Sequence, residues 1–288
     1  MRPIHMAAAG LAMAALASIA QAQTPPAPDR VGIQADPCAA LDPAPVIVVD
    51  YMQKLAAAKA ARQPPPIPTP AGLAVYNAWR QRLLLQDFSG RCHYQAANAA
   101  LDPSRPPKEI FFGDSITELW GATMPGFFSA SRLDRGVSGQ TTPQMLGRFQ
   151  ADVIDLHPRL VHILAGTNDI AGNTGPTSLA WIEANIRAMA TLAKANHIQV
   201  VIGSVLPAAG FNWRPGITPA ADISALNAWL EAYARAEGFV YVDYYAVLAA
   251  TDHSFKAAMT LDGVHPNAVG YQAMAPLAER ALAQSSGR

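Results

Sequence analysis

Cysteine is scarce in this chain. Only Cys38 and Cys92 occur among 288 residues, and neither has His or Cys neighbours at metal-ligand spacing, so the sequence offers no thiolate zinc site. Net charge is missing too: Lys+Arg and Asp+Glu balance at 21 each, which leaves no overall field to draw nucleic acid or an anionic membrane surface. A neutral small molecule or neutral polymer fits that balance. The apolar run Met6–Ala20 is shorter than the ~20 residues a spanning helix needs. It follows Arg2 and His5 and ends in Ala20-Gln21-Ala22, with no cysteine next to take a lipid. Residues 1–22 therefore read as a secretory signal peptide, and the mature protein as exported, periplasmic or secreted, with no stable membrane insertion after cleavage. In an oxidising compartment Cys38 and Cys92 are expected to be bridged, stapling the N-terminal segment without taking part in chemistry.

What remains is long enough for one sizeable α/β core plus an extension. Residues 23–107 read as that extension. Gln23–Pro45 is rich in Pro, Ala and Asp without periodicity, and Val46–Arg62 is an Ala-rich helical stretch. The proline-laden Arg62–Pro70 is expected to be an extended linker. A second helix is expected from Ala71, with Leu73, Tyr76, Trp79 and Leu83 forming a face docked on the main domain.

From residue 108 strands and helices alternate. Ile110–Phe112, Arg132–Val137, Leu160–Ala165, Ile198–Gly203 and Phe239–Asp243 read as strands. Helices are expected after Ser115, from Thr142-Pro143 through Leu156, over Ser178–Asn196, over Ala220–Glu237 and over Asn267–Gln284. Met145, Leu146, Phe149, Val153, Ile154 and Leu156 mark the core face of the second of these, and Ile182, Ile186, Met189 and Leu192 that of the third. This order predicts a five-stranded parallel sheet with helices on both faces.

In such sheets ligands bind beyond the carboxyl ends of the strands. The turns after the first three predicted strands hold Ser115, Gly139 and Asn168, so the three can converge. Gly113-Asp114-Ser115 alone is more simply read as an ordinary N-cap. Downstream, however, His265 follows Asp262 by three residues, a spacing that lets the carboxylate reach and orient the imidazole. An oriented imidazole is what turns a serine into a nucleophile. The same arrangement leaves the Ser115 and Gly139 backbone N–H groups and the Asn168 side-chain amide free to donate to an oxyanion, which points to acyl transfer.

With Gly113-Asp114-Ser115, Gly136-Val137-Ser138-Gly139, Gly166-Thr167-Asn168-Asp169 and Asp262-Gly263-Val264-His265-Pro266 in order, residues Lys108–Leu282 resemble the SGNH hydrolase superfamily, the GDSL-type esterases and lipases. Ile116 stands where the family name has leucine. The resemblance implies a flavodoxin-like three-layer α/β/α sandwich over 108–288, with no metal and no cofactor. It also implies Ser115 as nucleophile, His265 as base, Asp262 as its orienter, and Gly139 and Asn168 as oxyanion partners. Trp120, Phe211, Trp213 and Arg214 lie in segments on the active-site side and are candidate substrate contacts. The expectation is an exported serine esterase that removes short acyl groups, acetyl above all, from a small-molecule or carbohydrate ester. A lysophospholipase or aryl esterase is the alternative enzyme, and a carbohydrate-binding module on an inactive hydrolase fold the alternative of another class. Nothing in the sequence specifies the oligomeric state.

Overall fold

Alternating side chains of the strand run set the architecture. Ile110 and Phe112 bury on one face of the sheet, in a cluster with Met145, Phe149, Val161, Ile163, Ile182 and Ile202. Phe111 buries on the other, with Leu160, Leu164, Val201, Tyr271 and Met274. A strand that is apolar on both faces requires a covering layer on each. The computed structural model describes residues 32–60 and 66–286, and the signal-peptide expectation falls outside them. The chain divides into two units, Met1–Ala40 and Leu41–Arg288. In the first, the described residues form a 3-10 turn at Cys38–Ala40, capped by Asp36 Oδ1, which accepts from Cys38 N at 3.0 Å. Neither Cys38 nor Cys92 carries a free thiol.

The second unit begins with helices α1 (Val46–Ala60), α2 (Pro70–Gln86) and α3 (Gln95–Ala99). Thr69 caps α2 with its hydroxyl, which accepts from Gly72 N at 3.0 Å, and Pro70 takes the first helical position, where its missing N–H costs nothing. The expected docking stripe is only half-buried. No residue of α2 is fully covered, Leu73 is exposed, and Trp79 Nε1 donates to Asp42 O at 3.2 Å.

The α/β core then runs β1 (Glu109–Gly113), α4 (Ser115–Thr123), β2 (Arg132–Gly136), α5 (Thr142–Asp152), β3 (Leu160–Leu164), α6 (Thr167–Ile170), α7 (Leu179–Ala195), β4 (Gln199–Gly203), α8 (Ala220–Glu237), β5 (Val240–Val242), α9 (Tyr244–Leu248) and α10 (Ala268–Ser286). All pairings are parallel and the order is β2-β1-β3-β4-β5, the flavodoxin-like arrangement. The order reverses between β1 and β3, so the crevice for a ligand lies at their carboxyl ends.

Two helix faces differ from the periodicity reading. The α5 helix stops at Asp152, and a 3-10 turn over Ile154–Leu156 follows, closed by His157 in the left-handed region at φ 51°. Val153 and Ile154 are buried through that turn, whereas Leu146 and Leu156 are only partly covered. On α7 Leu192 is 37% exposed and Ala193 takes the core position. At about 100° per residue, Ala193 falls within about 20° of Ile182, while Leu192 is rotated about 80° off that line.

Candidate active site

Ser115 opens α4 directly beyond the end of β1, and Asp114 caps the helix by accepting from Ile116 N at 2.9 Å. The close approach of α4 to β2 depends on Gly136, where a Cβ would stand 2.2 Å from Glu118 N. Gly139, in the turn after β2, has φ +79°, a conformation that favours glycine. Asn168 lies in α6, one residue beyond the turn that leaves β3. His265 comes from the loop before α10. There Asp262 Oδ1 accepts from Val264 N at 3.0 Å and His265 N at 2.8 Å, and Gly263 has φ +88°.

These elements bring Ser115 Oγ to 2.9 Å from His265 Nε2, and His265 Nδ1 to 2.8 Å from Asp262 Oδ2. Burial works against charge on Asp262, but the hydrogen bond and electrostatic pull of the His265 ring, with the two loop N–H groups, outweigh it and hold the carboxyl below its usual range. An ionised Asp262 accepts the Nδ1 proton, which leaves Nε2 as the acceptor facing the serine hydroxyl.

The oxyanion side is more committed than the sequence suggests. Among the described residues nothing accepts from the Ser115 or Gly139 backbone N–H. Asn168 is not free in the same way: its Nδ2 donates to Asp114 Oδ2 at 3.1 Å and to Gln140 O at 3.0 Å, using both amide hydrogens. Asp114 is buried, which pushes its carboxyl up to about 6 against the opposing pull of the Ile116 N–H and of His265. Burial likewise pushes Asp169 up to about 6, although it accepts from Thr142 N and from Thr142 Oγ1 at 2.6 Å.

Beneath both turns lies Arg148, with no exposed surface. Its guanidinium donates to Gly113 O at 2.8 Å, Arg135 O at 2.9 Å, Gln140 Oε1 at 2.6 Å and Asp152 Oδ2 at 2.9 Å. It also lies 4.1 Å above the Phe112 ring centroid. A buried charge is tolerable because it is paired with Asp152 and each of its nitrogens has a hydrogen-bond partner, and this one ties the end of β1 to the turn after β2.

Of the four candidate substrate contacts, two are corrected. Trp120 has no exposed surface and stacks on Phe127 and Tyr271, because α4 turns that face onto the sheet. Phe211 is 3% exposed and packs in the core cluster on the opposite face. Trp213, by contrast, is 40% exposed, and its ring centroid lies 6.1 Å from that of His265. Arg214 is exposed and donates to Gly172 O at 3.4 Å.

Three nearby residues were not singled out from the sequence. Arg80 of α2 donates to Ser138 O at 3.5 Å, Glu118 accepts from Ser138 N at 2.8 Å and from the Ser138 hydroxyl, and Asn173 bonds to Gly139 O at 3.1 Å. Only their positions in space reveal them, since none stands at a recognisable spacing. Two surface depressions of about 350 and 240 Å³ lie at the other end of the sheet, around Lys194, Glu237 and Phe239, and share no residue with the Ser115 site.

Residues 111–273 match the model of the GDSL-like Lipase/Acylhydrolase family. The chain belongs to that family. This acylhydrolase-family chain is 44% identical to a GDSL-like lipase of Bacteroides thetaiotaomicron VPI-5482, with 68% of this chain and 98% of that one covered and a TM-score of 0.66. It is 43% identical to a candidate acylhydrolase of Bacteroides fragilis NCTC 9343, over 69% and 98% of the two chains, also with a TM-score of 0.66. An acetylxylan esterase of Geobacillus stearothermophilus shares the fold at 21% identity, over 61% and 94% of the chains, with a TM-score of 0.51. No curated protein matches the chain. The ester-hydrolase activity of the acylhydrolase family, the parallel sheet and the strand-end site agree with one another.

Proposed function

We propose that the protein is an exported serine esterase that removes short acyl groups, acetyl above all, from a carbohydrate ester through an acyl-enzyme. The observation that carries the reading is the unbroken chain Ser115 Oγ–His265 Nε2, His265 Nδ1–Asp262 Oδ2, at 2.9 and 2.8 Å. Within it Ser115 is the nucleophile, His265 the base and Asp262 the group that orients and stabilises the imidazolium.

As Ser115 Oγ bonds to the ester carbonyl carbon, its proton passes to His265 Nε2 and the carbonyl oxygen becomes an oxyanion. The Ser115 and Gly139 N–H groups are the donors to that charge, with the Asn168 Nδ2 hydrogen that points at Gln140 O in the resting site turning towards it. Collapse breaks the ester C–O bond, and His265 returns the proton to the leaving alcohol. Water then attacks the acyl-enzyme with His265 as base, releasing the acid and restoring Ser115.

The polar, glycine-containing strand-end turns that carry Ser115, Gly139 and Asn168 support a short acyl group. The half-exposed indole of Trp213 beside His265 supports a sugar ring on the alcohol side. The acetylxylan esterase among the fold neighbours acts on such an ester, so the fold accommodates this substrate class. The export reading rests on residues 1–22.

A series of aryl esters from acetate to octanoate, run beside acetylated polysaccharides, tests the assignment. Acetate to butyrate should be best and octanoate poor. A longer acyl chain buried in a roomy apolar slot would contribute about 0.8 kcal/mol per methylene, so a steady rise of kcat/KM through eight carbons would favour the lysophospholipase alternative.

A further inference from the structure

Three segments of the site meet on one side chain. Asn173 Nδ2 donates to Gly139 O at 3.1 Å and to Asn168 Oδ1 at 2.8 Å, and Asn173 Oδ1 accepts from Trp213 Nε1 at 2.9 Å. Gly139 follows β2, Asn168 follows β3, and Trp213 lies in the long loop after β4.

An indole N–H can only donate, so it fixes the Asn173 oxygen towards Trp213 and the nitrogen towards the other two partners. Reversing that amide would oppose two donors on one side and set acceptors against each other on the other. The orientation is passed on. With its Oδ1 taken by Asn173, Asn168 must turn Nδ2 towards Asp114 and Gln140. A reversed Asn168 would point its oxygen at a carboxylate and a carbonyl, leaving no donor on the side where charge develops.

We infer that Asn173 is the positioning residue of the oxyanion site and that Trp213 acts on the reaction through it. The inference rests on the serine-esterase reading above. Asn173 hydrogen-bonds to neither Ser115 nor His265, so it acts by holding the donors Gly139 and Asn168 at a fixed separation. Trp213 also borders His265, which makes the loop after β4 a physical link between the base side and the oxyanion side. Misplacing a group by about 1 Å can cost about 10²-fold in rate.

The test uses the full-length protein and the variants Asn173→Ala, Asn173→Asp and Trp213→Phe, read by steady-state kinetics on an aryl acetate, by the rate of fluorophosphonate labelling, and by melting curves. Asn173→Ala should lower kcat and the labelling rate by about 10²-fold, with KM within about threefold of wild type. Asn173→Asp should be no better, since it keeps the acceptor for Trp213 but sets a carboxylate oxygen against two acceptors. Trp213→Phe keeps a ring beside His265 and removes only the N–H, so kcat should fall by about tenfold, and by nothing further in the Asn173→Ala background. If Asn173→Ala melts below the assay temperature, Trp213→Phe alone decides, and an unchanged kcat there overturns the inference. A folded Asn173→Ala with wild-type kcat also overturns it, as does a Trp213→Phe cost that persists in the Asn173→Ala background. A wild-type protein that neither labels nor hydrolyses esters overturns the serine-esterase reading and this inference with it, whereas active wild type with unaffected variants overturns this inference alone.

Discussion

Asn168 Nδ2 lies 3.1 Å from Asp114 Oδ2, so the residue before the proposed nucleophile anchors the proposed oxyanion donor from a different strand end. One amide hydrogen is fixed there, and the other, directed at Gln140 O, is the one available to the reaction. A donor aimed at a charge that exists only in the transition state contributes to kcat and little to KM.

Asn168→Ala is therefore expected to cut kcat by roughly 10²–10³, or about 2.7–4 kcal/mol, with KM nearly unchanged. Asn168→Asp should be at least as damaging, because it sets a second carboxylate against Asp114 and against the oxyanion. Steady-state kinetics beside melting curves decides the matter. A normal kcat in Asn168→Ala, or lost stability with full activity per folded molecule, would remove Asn168 from the mechanism.

The buried carboxyls make stability depend on pH with a definite sign. Asp114 and Asp169 are pushed up to about 6 by burial, so between about 4 and 6 the folded protein holds protons that the unfolded chain has released. Their contribution to stability is full below that window and falls as pH rises through it. Asp134, pushed up to about 7 by burial, has the same sign, whereas buried His162, held down to about 3, opposes the three carboxyls below about 6.5 as a single group. Asp262 also has the opposite sign, but its loss comes only at lower pH. The melting temperature should be higher at pH 5 than at pH 7. Asp114→Asn should flatten the slope even while lowering stability by facing one amide donor with another. Equal melting temperatures at the two pH values, or an unchanged slope in the variant, would contradict this.

Cys38 and Cys92 are expected to bridge each other, as the only two cysteines of the chain. Thiol titration of the denatured, unreduced protein should find no free thiol, and reduction should lower the melting temperature while sparing kcat. Two titratable thiols would contradict the bridge.

The strand pattern carried most of the fold, because β1, β3 and β4 are apolar on both faces and each ends at a glycine or polar turn. What the pattern missed are helix edges. Leu192 is apolar and near the right spacing, yet Ala193 and Ala190 give α7 a flat face that packs closer. At the site, Ser115, His265 and Asp262 were legible because chemistry dictates their residue types and the fold dictates their strand ends. Trp120 and Phe211 misled because an aromatic near a site in sequence can face either the cleft or the sheet, and the direction is set by packing. Asn173, Arg148 and Arg80 donate hydrogen bonds to backbone carbonyls, which many side-chain donors could make, so no local spacing marks them.

The central claim is that Ser115 becomes covalently acylated. Intact mass measurement after reaction with a fluorophosphonate tests it most directly, on wild type and on Ser115→Ala. The account predicts a single adduct, mapped by peptide analysis to Ser115 and absent from a folded Ser115→Ala variant that has also lost ester hydrolysis. An adduct of the same stoichiometry on Ser115→Ala would contradict it.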